Sequence, residues 1–258
     1  MATLHAVVDL VQGVESELRQ QGSIGIGTPG AISRATGRMK NSNSVCLNGQ
    51  PILRDLEQLL GRNIRIQNDA NCFALSEAVD GAAAGLSVVF GVILGTGVGG
   101  GIVVDGRVLT GANAIAGEWG HNPLPWSGSD ELPGAACYCG KSGCIETWLS
   151  GPGMMRHHAH PDWDAARIVT GAAAGDAACE LTLARYEDRL ARSLAQVINV
   201  LDPDAIVLGG GLSNVARLYQ NVPKLWGRYV FSDRVDTRLL RNRYGDSSGV
   251  RGAAWLWD

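Results

Sequence analysis

Leu4, Val7, Val8, Val11, Val14 and Leu18 recur at spacings of three and four residues, which predicts an amphipathic helix over the first eighteen residues. The pattern then changes. Ser23-Ile24-Gly25-Ile26-Gly27 reads as a short buried strand that ends in a Thr28-Pro29-Gly30 turn. Leu53 to Leu60 returns to helical spacing and stops at Gly61, and Asn63 to Gln67 predicts a strand running into Asn68-Asp69-Ala70-Asn71 and a helix from Ala70 to Ala78. Ser87 to Leu94 is an apolar run, hence a buried strand, and Ile102 to Leu109 carries β-branched residues around an Asp105-Gly106 hairpin turn. Leu190, Leu194, Val197, Ile198 and Leu201 form the apolar stripe of a long helix that stops at Asp202-Pro203. Ala205 to Leu208 predicts another buried strand, and Leu212 to Trp226 the helix behind it, despite Pro223. Asp246-Ser247-Ser248 offers caps for a last helix, Gly249 to Trp257. Between Gly151 and Gly175 the periodic signal is poor, and His157, His158 and His160 read as a solvated loop with no role.

Composition narrows the class. A chain of 258 residues with 45% hydrophobic residues can bury a proper core in one large domain or two lobes. Its net charge of −3, with the few Lys and Arg scattered, offers no basic field and argues against a nucleic-acid partner. The first residues include Asp9, Glu15 and Glu17 and so lack the basic start and apolar run of a signal peptide. No uncharged stretch is long enough for a bilayer, so neither a membrane partner nor a span is expected and the protein reads as cytosolic. There its six cysteines stay reduced. Cys46, Cys72 and Cys179 read as small core residues.

Two stretches carry candidate chemistry. Gly95-Thr96-Gly97-Val98-Gly99-Gly100-Gly101 contains the dinucleotide pattern G-x-G-x-x-G, but a strand follows it where a nicotinamide-binding loop would open a helix. Strand, glycine-rich turn, strand is instead a phosphate hairpin, whose unshielded backbone N–H groups can cradle phosphate. The second stretch runs from Gly117 to Glu146. Gly117-Glu118-Trp119-Gly120-His121 precedes Cys137-Tyr138-Cys139-Gly140-Lys141-Ser142-Gly143-Cys144-Ile145-Glu146. Three thiolates and an imidazole are the donor set of a closed tetrahedral zinc site, and soft sulfur argues against magnesium or calcium there. Glu118 lies three residues before His121 and Glu146 two after Cys144, so fixing the ligands also aims both carboxylates. Two acceptors on a rigid loop suit a polyol such as a sugar, and solvated surface acids are the plainer alternative.

Gly-Glu-Trp-Gly-His followed by Cys-x-Cys-Gly-x-x-Gly-Cys-x-Glu resembles the signature of the ROK family (repressor, open reading frame, kinase) of sugar kinases. The resemblance runs from about Ile24 to the C-terminus. It implies that His121, Cys137, Cys139 and Cys144 hold a structural zinc and that Glu118, His121 and Glu146 contact the sugar. Gly27-Thr28-Pro29-Gly30 is similar to the family's substrate loop, placing Gly30 at the sugar, and Asn43 stands where the family has a sugar-binding asparagine. Asp69 could simply cap its helix. The resemblance makes it the general base, with Asn68 on the sugar. It also places ATP phosphates and magnesium against Gly95, Thr96, Gly97, Val98, Gly99 and Gly100, and adenosine against Gly209, Gly210 and Gly211. The run His121-Asn122-Pro123-Leu124-Pro125-Trp126 further resembles bacterial fructokinases that also act on mannose, which makes fructose the expected hexose and its 6-hydroxyl the acceptor.

The fold so implied is α/β, two-lobed and of the actin and hexokinase kind. Residues 1–80 joined by 246–258 would form the smaller lobe and 81–245 the larger one, and a homodimer is expected. Family members open with a strand and an Asp-x-Gly-Gly-Thr loop that binds ATP phosphate and magnesium, and this sequence has none. The expectation is an ATP-dependent kinase of fructose, with mannose or glucose left open, on an incomplete small lobe; the alternative is a truncated family member that binds zinc and sugar but phosphorylates weakly or not at all. A sugar-responsive repressor, the other class, would need a helix-turn-helix ahead of this part.

Overall fold

The computed structural model describes residues 2–160 and 162–257. Its first helix, α1 (Ala2–Leu18), buries Val8 against a small apolar core. That core also takes residues from β1 (Gly25–Thr28), β2 (Ala31–Ile32), β3 (Met39–Lys40), α2 (Ile52–Leu60) and β4 (Arg65–Asn68). Met39, Ile52, Leu56 and Ile64 are fully buried there. β1 and β4 pair in parallel, with Ile26 opposite Ile66, and β2 and β3 form a short antiparallel pair. Gly61 ends α2 at φ 67°, the left-handed stop that glycine supplies without Cβ strain.

β4 delivers the chain directly into α3 (Asp69–Val79), the helix around which the molecule is layered. A sheet of five strands follows: β5 (Val88–Leu94), β6 (Val98–Val104), β7 (Arg107–Val108), β8 (Ala205–Gly209) and β9 (Arg238–Arg241), in the spatial order β7-β6-β5-β8-β9. The hairpin predicted at Asp105-Gly106 is present, both residues having positive φ as a two-residue hairpin turn requires. β8 lies parallel to β5 and to β9. Strand alternation sends Val89, Val103, Ala205 and Val207 toward Phe73 and Ala74 of α3. Phe90, Val92, Ile206 and Leu208 point the other way, into a core with Leu190, Leu194 and Ile198 of the long helix α7 (Ala177–Leu201).

α4 (Glu146–Leu149), α5 (Gly151–Arg156) and α6 (Ala165–Ala173) precede α7 in the chain, and α4 and α6 pack against it. α8 (Arg217–Trp226) packs on α7 on the same face of the sheet, and the last helix is α9 (Ser248–Ala254). α9 packs on α3 so closely that a Cβ at Gly252 would lie 1.6 Å from the Cys72 carbonyl oxygen, and one at Gly25 1.7 Å from that of Ala253. Buried Glu77 of α3 accepts hydrogen bonds from Ser248 Oγ (2.7 Å) and from the Arg243 amide (3.1 Å). Trp257 Nε1 donates to the Ile24 carbonyl (2.8 Å). Chain end and chain start are thereby stitched together.

Four expectations are corrected. His157 and His158 are not solvated, although both lie in the turn after α5: His158 is buried and bonded to Thr182 Oγ1 (2.8 Å), and His157 stacks on Trp148 at 4.1 Å. Only His160 among those histidines is exposed. The helix expected over 212–226 is broken into a 3₁₀ turn, Gly211–Asn214, and α8, since Tyr219 Oη takes the Ser213 carbonyl (2.6 Å) that a continuous helix would use. Cys46 sits exposed on the turn Val45–Leu47, whereas Cys72 and Cys179 are buried as expected. The glycine run is a loop only over Gly95 to Gly97. Gly99, Gly100 and Gly101 belong to β6, and a Cβ at Gly100 or Gly101 would lie within 2.7 Å of the Gly117 or Ala70 carbonyl oxygen. No helix among the described residues is long and apolar enough to cross a membrane.

Candidate functional site

Asp69 opens α3 at the end of β4, where the helix N-terminus favours a carboxylate. The capping role that it could have filled belongs to its neighbour. Asn68 Oδ1 accepts from the amides of Ala70 (2.9 Å) and Asn71 (3.3 Å), and its Nδ2 donates to the Gly30 carbonyl (3.2 Å). That last bond ties the Thr28-Pro29-Gly30 turn to the helix start. Gly30 itself has φ 77° and a Cβ there would lie 2.4 Å from the Lys40 carbonyl oxygen, so no other residue fits. Asp69 reaches solvent at the mouth of a cleft, yet burial against the walls raises its carboxyl above the ordinary aspartate value, opposed by hydrogen bonds from the Ala70 amide and Asn68.

Across this cleft stands the turn joining β5 to β6. Gly95 donates to the Gly97 carbonyl (3.0 Å), leaving Thr96 exposed at the tip. The turn is braced from behind. Gly151 at the start of α5 donates to the Gly95 carbonyl (2.8 Å), and the Val98 amide donates to Glu146 Oε2 (2.9 Å). A Cβ on Gly97 would meet that same Oε2 at 2.7 Å.

Glu146 begins α4 directly after the cysteine loop, and Glu118 precedes the 3₁₀ turn Trp119–His121. Two backbone bonds, Leu124 to Gly143 (2.9 Å) and Ile145 to Asn122 (2.8 Å), hold these ligand-bearing segments side by side. One donor atom from each of His121, Cys137, Cys139 and Cys144 lies within 4.8 Å of the others. His121 Nδ1 is 3.6 Å from Cys137 Sγ, and Cys139 Sγ is 3.6 Å from Cys144 Sγ. Zinc with sulfur at about 2.3 Å gives a tetrahedron whose S–S edges are about 3.8 Å, so residue types and spacing both fit that ion. Burial first, then its neighbours, pushes the Cys144 thiol up to about 12, and a divalent cation reverses that by stabilising thiolates. Burial likewise raises Glu118, with Asp69 and Glu146 adding to it and His121 and Lys40 opposing.

Gly30, Asn43, Asn68, Asp69, Glu118, His121 and Glu146 thus share one cleft of about 170 Å³ with the turn from Gly95 to Gly99. Gly95 and Thr96 also line a second cavity, of about 650 Å³, on the other side of the turn. Its walls are Pro152 and Met155 of α5, Ala165, Ala166, Val169 and Thr170 of α6, and Gly211 to Val215 without Ser213. Of the three glycines from the end of β8 onward, Gly211 is open to this cavity. Gly209 makes room for Phe73, and Gly210, at φ 77°, for the Leu94 carbonyl.

A family model described as the ROK family matches residues 1–258. The chain belongs to the ROK family. Among the curated relatives of this ROK chain is the N-acetyl-D-glucosamine kinase of Yersinia pseudotuberculosis, 41% identical over an alignment of 260 residues that covers 98% of this chain and 86% of the relative. The N-acetyl-D-glucosamine kinase of Photobacterium profundum is 40% identical over an alignment of 257 residues that covers 97% of this chain and 85% of the relative. Among solved structures, the ROK hexokinase from Thermus thermophilus superposes with a TM-score of 0.83 at 32% identity, over 98% of this chain and 84% of that one. The ROK family glucokinase from Streptomyces griseus, in complex with glucose and AMPPNP, gives 0.79 at 26%, over 98% and 86%. The ROK chain accordingly has the actin and hexokinase-like α/β fold, a mixed sheet with helices on its faces.

Two parts of the site escape sequence reasoning. α6 contributes small apolar residues that form no motif, and only tertiary placement beside Gly95 and Thr96 marks them. Tyr138, between Cys137 and Cys139 in the sequence, has its hydroxyl 3.1 Å from His121 Nε2 and lines the cleft.

Proposed function

We propose that this ROK protein is an ATP-dependent kinase that phosphorylates N-acetylglucosamine, or hexoses more broadly, at the 6-hydroxyl. The observation that carries the reading is the turn shared by two cavities of opposite character. On one side lie carboxylates, amides and an imidazole, the partners of a polyol; on the other lies an apolar slot able to take a flat base. A nucleotide with its base in the slot would bring its phosphates, with magnesium, onto the Thr96 and Gly97 amides at the tip of the turn. Kinase relatives at 40 and 41% identity over nearly the whole chain support the same class of enzyme.

In this mechanism Asp69 takes the proton of the sugar hydroxyl as its oxygen attacks the γ-phosphorus and ADP departs. Burial raises its carboxyl and so makes it a stronger base than an exposed aspartate. Glu118, Glu146, Asn43 and Asn68 orient the sugar by accepting or donating to its hydroxyls. His121, Cys137, Cys139 and Cys144 would hold zinc, which supplies a rigid frame for the two glutamates and no chemistry of its own.

None of the relatives named above is named a fructokinase, and the two N-acetyl-D-glucosamine kinases move the preferred acceptor from fructose to N-acetylglucosamine. Purified protein with MgATP and separate N-acetylglucosamine, glucose, mannose and fructose, followed by ADP release, tests both levels. The highest kcat/KM is expected with N-acetylglucosamine. A higher value for fructose would reverse the acceptor assignment, and release independent of every hexose would end the kinase reading.

A further inference from the structure

His121 has two ring nitrogens, and the structure commits both. Nδ1 faces Cys137 Sγ at 3.6 Å inside the metal-ligand set, and Nε2 lies 3.1 Å from the Tyr138 hydroxyl. The two rings meet edge-on, with centroids 5.2 Å apart. An imidazole that ligates a metal through Nδ1 carries its proton on Nε2, so this contact is Nε2–H donating to the phenolic oxygen. A sugar hydroxyl that is to bond His121 has only this same N–H to take. Tyr138 therefore stands where the sugar contact must form.

The backbone of Tyr138 cannot move out of the way. Cys137 and Cys139 flank it as ligands, Cys137 donates to the Lys141 carbonyl (2.8 Å), and Gly140 donates to the Cys137 carbonyl (3.0 Å). The side chain is the opposite case: it is 70% exposed. A rigid anchor with a loosely packed ring leaves the side-chain torsions as the one cheap motion.

We propose that Tyr138 is a competitive gate on the acceptor site, its side chain rotating away as the sugar enters and its hydroxyl surrendering the His121 Nε2–H to a sugar hydroxyl. This rests on the sugar-kinase reading. One hydrogen bond breaks and one forms, and the freed phenol is solvated, so the gate subtracts from sugar affinity the net worth of the bond that it gives up. Tyr138 is a positioning residue here, acting on the sugar through His121.

Calorimetric titration of N-acetylglucosamine and glucose into the zinc-loaded protein and its Tyr138→Phe variant tests the gate. The variant keeps the ring and removes only the competing oxygen. Sugar should bind roughly two- to tenfold more tightly, the equivalent of one net hydrogen bond. Zinc per chain and KM for ATP should not change. Across a set of monodeoxy hexoses the gain should vanish for one analogue, the one lacking the hydroxyl that takes Nε2–H. Equal or weaker sugar binding in the variant overturns the gate, as does an equal gain for every deoxy analogue. A fall in zinc content overturns it too, because Tyr138 would then be a support for the ligand rather than a rival of the sugar. Absence of hexose binding by both proteins would instead defeat the sugar-kinase reading, and the gate with it.

Discussion

The two cavities that meet at Gly95 and Thr96 differ in how their walls are held. The polar cleft is over-determined: Asn68 caps a helix and grips Gly30, Glu146 grips Val98, and four donors converge within 4.8 Å. The apolar cavity has fewer such braces, Gly151 to Gly95 and the Asp164 cap of α6, and is shaped mainly by Met155, Ala165, Ala166, Val169 and Leu212 side chains. On the reading proposed above, the contrast follows from what each would recognise. Hydroxyls demand directional partners at fixed positions, whereas a flat base asks for surface alone. Damage to the first should therefore be abrupt, and damage to the second graded.

The largest effect is expected from Asp69→Asn, which removes the base but keeps the shape of the cleft. Turnover should fall roughly 10²- to 10⁴-fold with sugar affinity nearly intact, as steady-state rates and calorimetry would show. An unchanged rate would take Asp69 out of the chemistry. Next in size is Cys139→Ser. It should strip the metal and release Glu118 and Glu146 together, weakening sugar binding roughly 10²-fold, as loss of two charge-assisted hydrogen bonds implies. Elemental analysis alongside titration separates this from simple unfolding. Val169→Asp probes the other wall and should raise KM for ATP about tenfold while leaving sugar affinity alone. If both substrates weaken together, the two cavities are not independent.

The smallest effect sharpens the comparison through pH. Asp69 has its carboxyl raised by burial, so its ionised, proton-accepting form is lost as pH falls through a value above that of an exposed aspartate. The acid limb of log kcat should sit correspondingly high, and it should disappear in Asp69→Asn. In stability the sign is reversed, since a raised carboxyl disfavours the folded state above its pKa and ceases to do so as pH falls through it.

How far the sequence leads to this picture depends on whether a feature is local. The metal cluster is legible because its four donors sit within twenty-four residues, and the strand from 88 to 94 because its apolar run has no helical alternative. β9 is not, because Arg238-Leu239-Leu240-Arg241 is a short charged edge strand whose identity comes from pairing with β8. The glycine run misleads for a related reason. Its first members shape a turn while Gly100 and Gly101 admit Gly117 and α3, and one letter serves both purposes. Likewise Ala165, Ala166 and Val169 signal nothing until folding sets them beside Thr96.

The stitching of α9 to β1 and α3 has a consequence in time. Glu77 and Ser248 are 171 residues apart, and Ile24 and Trp257 are 233 apart, so during synthesis the first strand, and the helix that starts at Asp69, wait for the end of the chain to become available. At ribosomal speed that interval is roughly 10 to 30 s for the Glu77 contact alone. Throughout it, the surface that Gly252 and Ala253 will cover lies open, and the first strand lacks the contacts that close the core around it. The nascent protein is then most exposed to aggregation in its first eighty residues and is relieved by its last ten.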